Sequence, residues 1–198
     1  MNKIEAQEKF DKLMSEGIHG YRIALDLAEC HLPEKAQEAA KACFDSFKEG
    51  KVNYGIRILD IAKKYFPAKL NKLAWTLLEE CLASYEAKLK FDATHAYPSE
   101  QTKFEFLGDL LKDRMLSDIK HIEQTYFDKN GMIYFENGDG MECRSVDVDK
   151  RIADIEARVL DVSNSPFARK LKQSLKEAIE RKDRKTAKEI YEHIGILF

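Results

Sequence analysis

Leu25-Asp26-Leu27-Ala28-Glu29-Cys30-His31-Leu32-Pro33 returns 34 residues later as Leu59-Asp60-Ile61-Ala62-Lys63-Lys64-Tyr65-Phe66-Pro67. In each copy leucine, isoleucine and alanine follow helical spacing up to a proline. A proline ring disfavours helical backbone at the residue before it, so each copy ends one helix at the proline, and the proline then opens the next. Read outward from these anchors, helices are expected over about 3–15, 18–31, 34–48, 52–65 and 68–90, joined by turns as short as Glu49-Gly50-Lys51. Turns of that length force neighbouring helices to run antiparallel. In the fifth helix Leu70, Leu73, Ala74, Leu77, Leu78, Cys81, Leu82, Tyr85 and Leu89 keep three-four spacing and predict a wide buried face.

Asp92 to Pro98 is a polar break and the best candidate boundary between subregions, dividing the chain into 1–91 and 92–198. Beyond it a second long helix is expected from Ser99, striped by Leu107, Leu111, Met115, Ile119, Ile122 and Tyr126. The period then changes. Asp128-Lys129-Asn130-Gly131 is a turn signal, Met132-Ile133-Tyr134-Phe135 favours strand, and Asn137-Gly138-Asp139-Gly140 marks a hairpin turn, so one β-hairpin is expected near 131–148. A two-stranded ribbon is marginal alone, so its apolar face must lie against helices or a partner. Val148, Ile152, Ile155, Val159 and Val162 stripe another helix, with Asp147 or Asp149 as its cap. Ser165-Pro166 opens the last helical hairpin, 165–194, whose turn is Lys182-Asp183-Arg184.

Composition agrees with a helix-rich globular chain: of 198 residues, 44% are hydrophobic and 34% charged, with only 9 Gly and 4 Pro. This excludes disordered, collagenous and membrane-spanning classes, and the length supports a core without staples. Lys plus Arg total 33 against 35 Asp plus Glu, so the net charge of -2 exerts no global pull on nucleic acid or anionic membrane. The charged start Met1-Asn2-Lys3-Ile4-Glu5 leads into an amphipathic pattern rather than a secretory signal, and a cytoplasmic location is expected. Cys30, Cys43, Cys81 and Cys143 form no C-x-x-C pair and read as reduced structural thiols, the first three as small buried hydrophobes on helices.

A 34-residue helix-turn-helix unit with small residues at helix contacts and a closing proline resembles the tetratricopeptide repeat. In the unit from Ala36 to Lys69, Gly50 takes the turn, Gly55 and Ala62 the small positions of the second helix, Leu59 its large apolar position, and Pro67 the close. The unit from Asn2 to Lys35 matches at Tyr21, Leu25, Ala28 and Pro33 but carries Lys9 where the family prefers glycine or alanine. Leu171, Leu175, Ala178, Ala187, Tyr191 and Ile194 suggest a further unit without a closing proline. The family's tryptophan is missing, with Glu5 and Ala39 in its place. The resemblance implies an all-α, right-handed superhelical stack carrying one hairpin insertion, and a non-enzymatic binding or scaffold function. First helices would line a groove for a peptide or partner helix through Phe10, Met14, Phe44, Phe47, Lys48 and Leu78. The plainer reading of the same residues is core between layers.

Other chemistry is thin. Only Asp118 with His121 has the i, i+3 spacing of helical metal ligands, Glu79-Glu80 point apart, and no metal or other cofactor is expected. The hairpin region carries Asp139, Glu142, Asp147 and Asp149, and a strand-borne Asp-Glu pair suits Mg²⁺-dependent hydrolysis, but Arg144 stands where a nuclease would want lysine. Asp128, Asn130 and Gly131 fail as a calcium loop because glycine comes too early and Met132 fills a ligand place. No phosphate-cradling loop, G-x-S-x-G elbow or H-E-x-x-H is present. From Ser165 to Lys188 nine basic residues face three acidic ones. That stripe, with Arg181, Lys182, Arg184 and Lys185 at its centre, is the alternative site, for nucleic acid; Phe167 and Tyr191 nearby sit at core-like spacing. The apolar terminus Ile194-Gly195-Ile196-Leu197-Phe198 would pack back or form a dimer contact.

Overall fold

The computed structural model describes residues 1–51, 55–94, 102–137 and 140–197. The chain is mostly helical, 81%, with one small two-stranded antiparallel sheet among the described residues. The helices are α1 (Lys3–Ser15), α2 (Tyr21–His31), α3 (Ala36–Lys48), α4 (Arg57–Tyr65), α5 (Pro67–Thr94), α6 (Thr102–Tyr126), α7 (Val148–Asn164), α8 (Pro166–Glu180) and α9 (Arg184–Leu197), and the strands are β1 (Met132–Asn137) and β2 (Gly140–Ser145). Two compact units result: residues 1–77 with 134–142, and residues 78–133 with 143–198. The expected boundary at 91/92 falls inside α5, and most of the break around it, with Ser99, lies outside the described residues.

In the first unit the two sequence copies end in the same backbone form. Leu32 (φ -142°, ψ 62°) donates its N–H to the Ala28 carbonyl at 2.9 Å, and Phe66 (φ -138°, ψ 52°) donates to Ala62 at 2.8 Å. Each then accepts from the residue three further on, Lys35 at 2.7 Å and Lys69 at 2.9 Å. The proline forces this junction by excluding helix at the residue before it. In this unit α1 packs on α2, α2 on α3 and α3 on α4. The core is Ala6, Phe10, Leu13, Ala24, Leu25, Ala28, Ala39, Ala40, Phe44, Ile58, Leu59 and Ala62, rich in alanine where helices approach closely. Tyr65 and Lys64 clamp Glu29 across α2 and α4, at 2.8 and 3.0 Å, which holds its carboxyl below the usual range.

Local signals placed the helix ends well. Asn2 and Glu5 form a reciprocal capping box on α1, Asp147 rather than Asp149 caps α7, and Ser165 caps α8 by accepting the Ala168 N–H at 3.1 Å. Asp128 Oδ1 accepts from Asn130 and Met132 at 2.8 and 2.9 Å, which makes the turn before β1. Two readings need correction. The fourth helix starts at Arg57 rather than 52, because Gly55 has φ 56° and lies in the turn, so it is not the small residue of a second helix. Cys30 is exposed on α2, while Cys43 is buried.

The α3 and α8 ends share one turn geometry with different residues. After α3, Gly50 N–H bonds to Phe47 at 2.9 Å and Lys51 to Ser46 at 3.0 Å; after α8, Lys182 bonds to Ile179 at 2.9 Å and Asp183 to Ala178 at 2.9 Å. The pivotal residue has φ 69° at Gly50 and 60° at Lys182. A side chain in that conformation costs about 1 kcal/mol. Lys182→Gly is therefore expected to stabilise the chain by about 1 kcal/mol, read as a raised urea midpoint with an unchanged denaturant slope.

Ile133 and Phe135 on β1 are buried and Tyr134 between them is exposed, so the ribbon shows the alternation of a half-covered strand. The Tyr134 carbonyl accepts from Asn71 Nδ2 at 2.7 Å. The hairpin residues 138–139 lie outside the described residues.

Candidate functional site

The residues expected to line a groove divide by burial. Phe10, Phe44 and Leu78 are 1%, 3% and 0% exposed and belong to the core of their units, Met14 and Phe47 are half-buried, and Lys48 is exposed. Phe44 is held further by its ring contact with Phe66, centroids 4.8 Å apart, and by Lys69 over its face at 5.3 Å. Phe10 on α1 and Phe44 on α3 therefore serve the interior of the first unit rather than a groove.

The open concavity lies elsewhere, in the second unit, between α5 and α7. It encloses about 550 Å³ and is lined by Glu79, Leu82, Ala83, Glu86, Arg151, Asp154, Ile155, Ala157 and Arg158. The Arg151 guanidinium grips both oxygens of Glu79, at 2.5 and 3.0 Å, and Arg158 reaches Glu86 at 3.4 Å. Glu79 and Glu86 are seven residues apart, as are Arg151 and Arg158, so both pairs share one 72-residue offset. A constant offset means that α5 and α7 run parallel here, with one charged rung per heptad in the manner of a coiled-coil flank. Between the rungs Tyr85, 0% exposed, donates its phenol to Glu156 Oε1 at 2.5 Å. Burial, then the Glu156 hydrogen bond, pushes the phenol well above its ordinary value. Lys90, hydrogen-bonded to Glu86, holds that carboxyl below its usual range, assisted by Arg158.

Four of the concavity's five charged groups are joined in the Glu79–Arg151 and Glu86–Arg158 pairs, Asp154 stands exposed beside them, and Leu82 and Ile155 give an apolar floor. Among the described residues no group of three or more His, Cys, Asp or Glu is placed to hold a metal; Asp118 is half-buried and His121 exposed, while Asp149 takes Lys120 at 2.5 Å. Burial, then Asp118 and Glu80, push the half-buried Cys81 thiol up to about 11, away from nucleophilic chemistry.

The basic stripe is at the surface. Arg181, Lys182, Arg184 and Lys185 are all exposed at the α8–α9 turn, and Lys172 is withdrawn from it, half-buried and donating to Ser163 at 2.7 Å. Phe167 and Tyr191 are 57% and 41% exposed, so neither is a core residue: each sits at the margin of a helix whose inner face is taken by Ala168, Leu175 and Ala178 on α8 and by the half-buried Ala187 and Ile190 on α9. The side chains of Ile194 to Phe198, expected to pack back or form a dimer contact, lie outside the described residues. Among the described residues no helix is long and apolar enough to cross a membrane. Against protein-family models, curated proteins and solved structures, the chain matches none.

Proposed function

We propose that this chain is a non-enzymatic binding or scaffold protein, built on helical hairpins stacked in the manner of tetratricopeptide repeats, that takes a helix or peptide of another protein. The observation that carries this reading is the α5–α7 groove, where an apolar floor is bordered by paired charges and small exposed residues. Ala83 and Ala157 leave room for a partner's side chains, and the rungs at Glu79–Arg151 and Glu86–Arg158 offer polar contacts at heptad spacing, the repeat of a docked helix. The recurring junctions at Leu32 and Phe66 support the repeat reading of the first unit.

Filling the groove tests it. Ala83→Trp and Ala157→Trp, at exposed positions that leave the core untouched, are expected to abolish capture of a protein partner that wild-type chain retains from native lysate at high salt. A partner set unchanged in both variants would overturn the reading. Groove contacts centred on apolar area should depend weakly on salt.

A further inference from the structure

We propose that the turn between α8 and α9 is a second binding surface, built to engage the phosphate backbone of a nucleic acid through Arg181, Lys182, Arg184 and Lys185. The four cations fall within five consecutive residues, and all four are exposed. Arg181 alone meets a carboxylate, Glu177 at 3.5 Å with its own side chain 76% exposed; Lys182, Arg184 and Lys185 have no ion-pair partner among the described residues. Elsewhere in the same unit Lys120, Arg151 and Arg158 are tied to acids, while Arg169, Lys170 and Lys176 on α8 share the exposure of the turn and extend its positive face along the helix. The one acid of the turn, Asp183, is directed to α9 instead: its Oδ1 accepts the Thr186 N–H at 3.1 Å, and the Thr186 side chain, then this backbone cap, hold its carboxyl low.

The turn is also built rather than loose. Arg181, Lys182 and Asp183 donate to Glu177, Ile179 and Ala178 at 3.0, 2.9 and 2.9 Å, and Ala187 closes the start of α9 on the Asp183 carbonyl at 3.0 Å. Lys182 takes a φ of 60°, a conformation that suits glycine. Charge is held there at a cost in stability. The turn itself, residues 181–186, contains no large apolar side chain, and the exposed Ile179 and Tyr191 lie outside it on α8 and α9. A protein interface needs a buried apolar or aromatic centre, and a membrane-surface site needs an apolar face to insert. Binding by cations alone, through counterion release, is the mode of polyphosphate.

The probe is a short labelled DNA duplex of random sequence, titrated by fluorescence anisotropy at several salt concentrations. Four phosphate contacts predict a slope of log affinity on log salt of about -3.6, so affinity falls about 150-fold between 50 and 200 mM salt. The Arg181→Gln, Lys182→Gln, Arg184→Gln, Lys185→Gln quadruple variant should bring the slope near zero. Lys182→Gly should reduce the slope by about 1 while raising thermal stability, which separates lost charge from lost fold. Absence of salt-sensitive binding, a slope unchanged in the quadruple variant, or binding to phosphatidylserine vesicles without binding to the duplex would each overturn the proposal.

Discussion

Replacing Gly20 by alanine is expected to destabilise the chain by about 3 kcal/mol, a fall in Tm of roughly 10 °C, which differential scanning calorimetry would register directly. A Cβ at Gly20 would lie 1.8 Å from the Leu13 carbonyl oxygen and 2.7 Å from its carbon. Both are backbone of α1, so no rotamer change relieves the overlap, and α1 must move off the start of α2. That separation would open the contacts of Phe10, Leu13, Ala24 and Leu25, all buried. Gly50→Ala is the informative contrast. Nothing lies within 4 Å of a Cβ there, but φ is 69°, so the cost is confined to left-handed strain of about 1 kcal/mol. Equal effects at the two positions would mean that α1 and α2 do not approach as closely as described.

Tyr85→Ala is expected to cost about 4 kcal/mol, and Tyr85→Phe about 1.5 kcal/mol, measured by urea unfolding at neutral pH. Alanine leaves a cavity where a fully buried ring stood, whereas phenylalanine removes only the bond to Glu156. The pair also sets an alkaline limit. The phenol is raised above its ordinary value, so the folded state prefers the neutral form. Its contribution is complete below the unfolded pKa of about 10 and is lost as pH rises beyond it, when the unfolded chain ionises and the folded one resists. Wild-type stability should therefore fall between pH 9 and 11 more steeply than that of Tyr85→Phe. Parallel curves would show that Tyr85 ionises freely in the folded protein.

Local chemistry made much of the helical frame legible before any tertiary contact was known. Pro33 and Pro67 stop helices by steric exclusion, Ser165 and Asp147 supply side-chain acceptors to free N–H groups, and Asp128 folds back on its own following amides. These effects act over a few residues, so the amino-acid order suffices to place them. Gly55 shows the limit. A glycine in a helical pattern reads as a small packing residue, and only its φ of 56° reveals a turn.

The candidate site was not legible in that way. Glu79 and Glu86 pair with arginines 72 residues away, and no periodicity in α5 or α7 alone announces a shared register. Nor does helical spacing separate a face that is covered from one that is left open: Phe10 and Phe44 proved to be interior, Phe167 and Tyr191 exterior, although all four sit at core-like intervals. The sequence by itself determined where this chain bends, caps and turns, because those choices depend on neighbours along the backbone. Which apolar faces meet, which charges are joined and which are left facing water was decided by tertiary structure alone, since burial and Coulomb attraction depend on distance in space rather than along the chain.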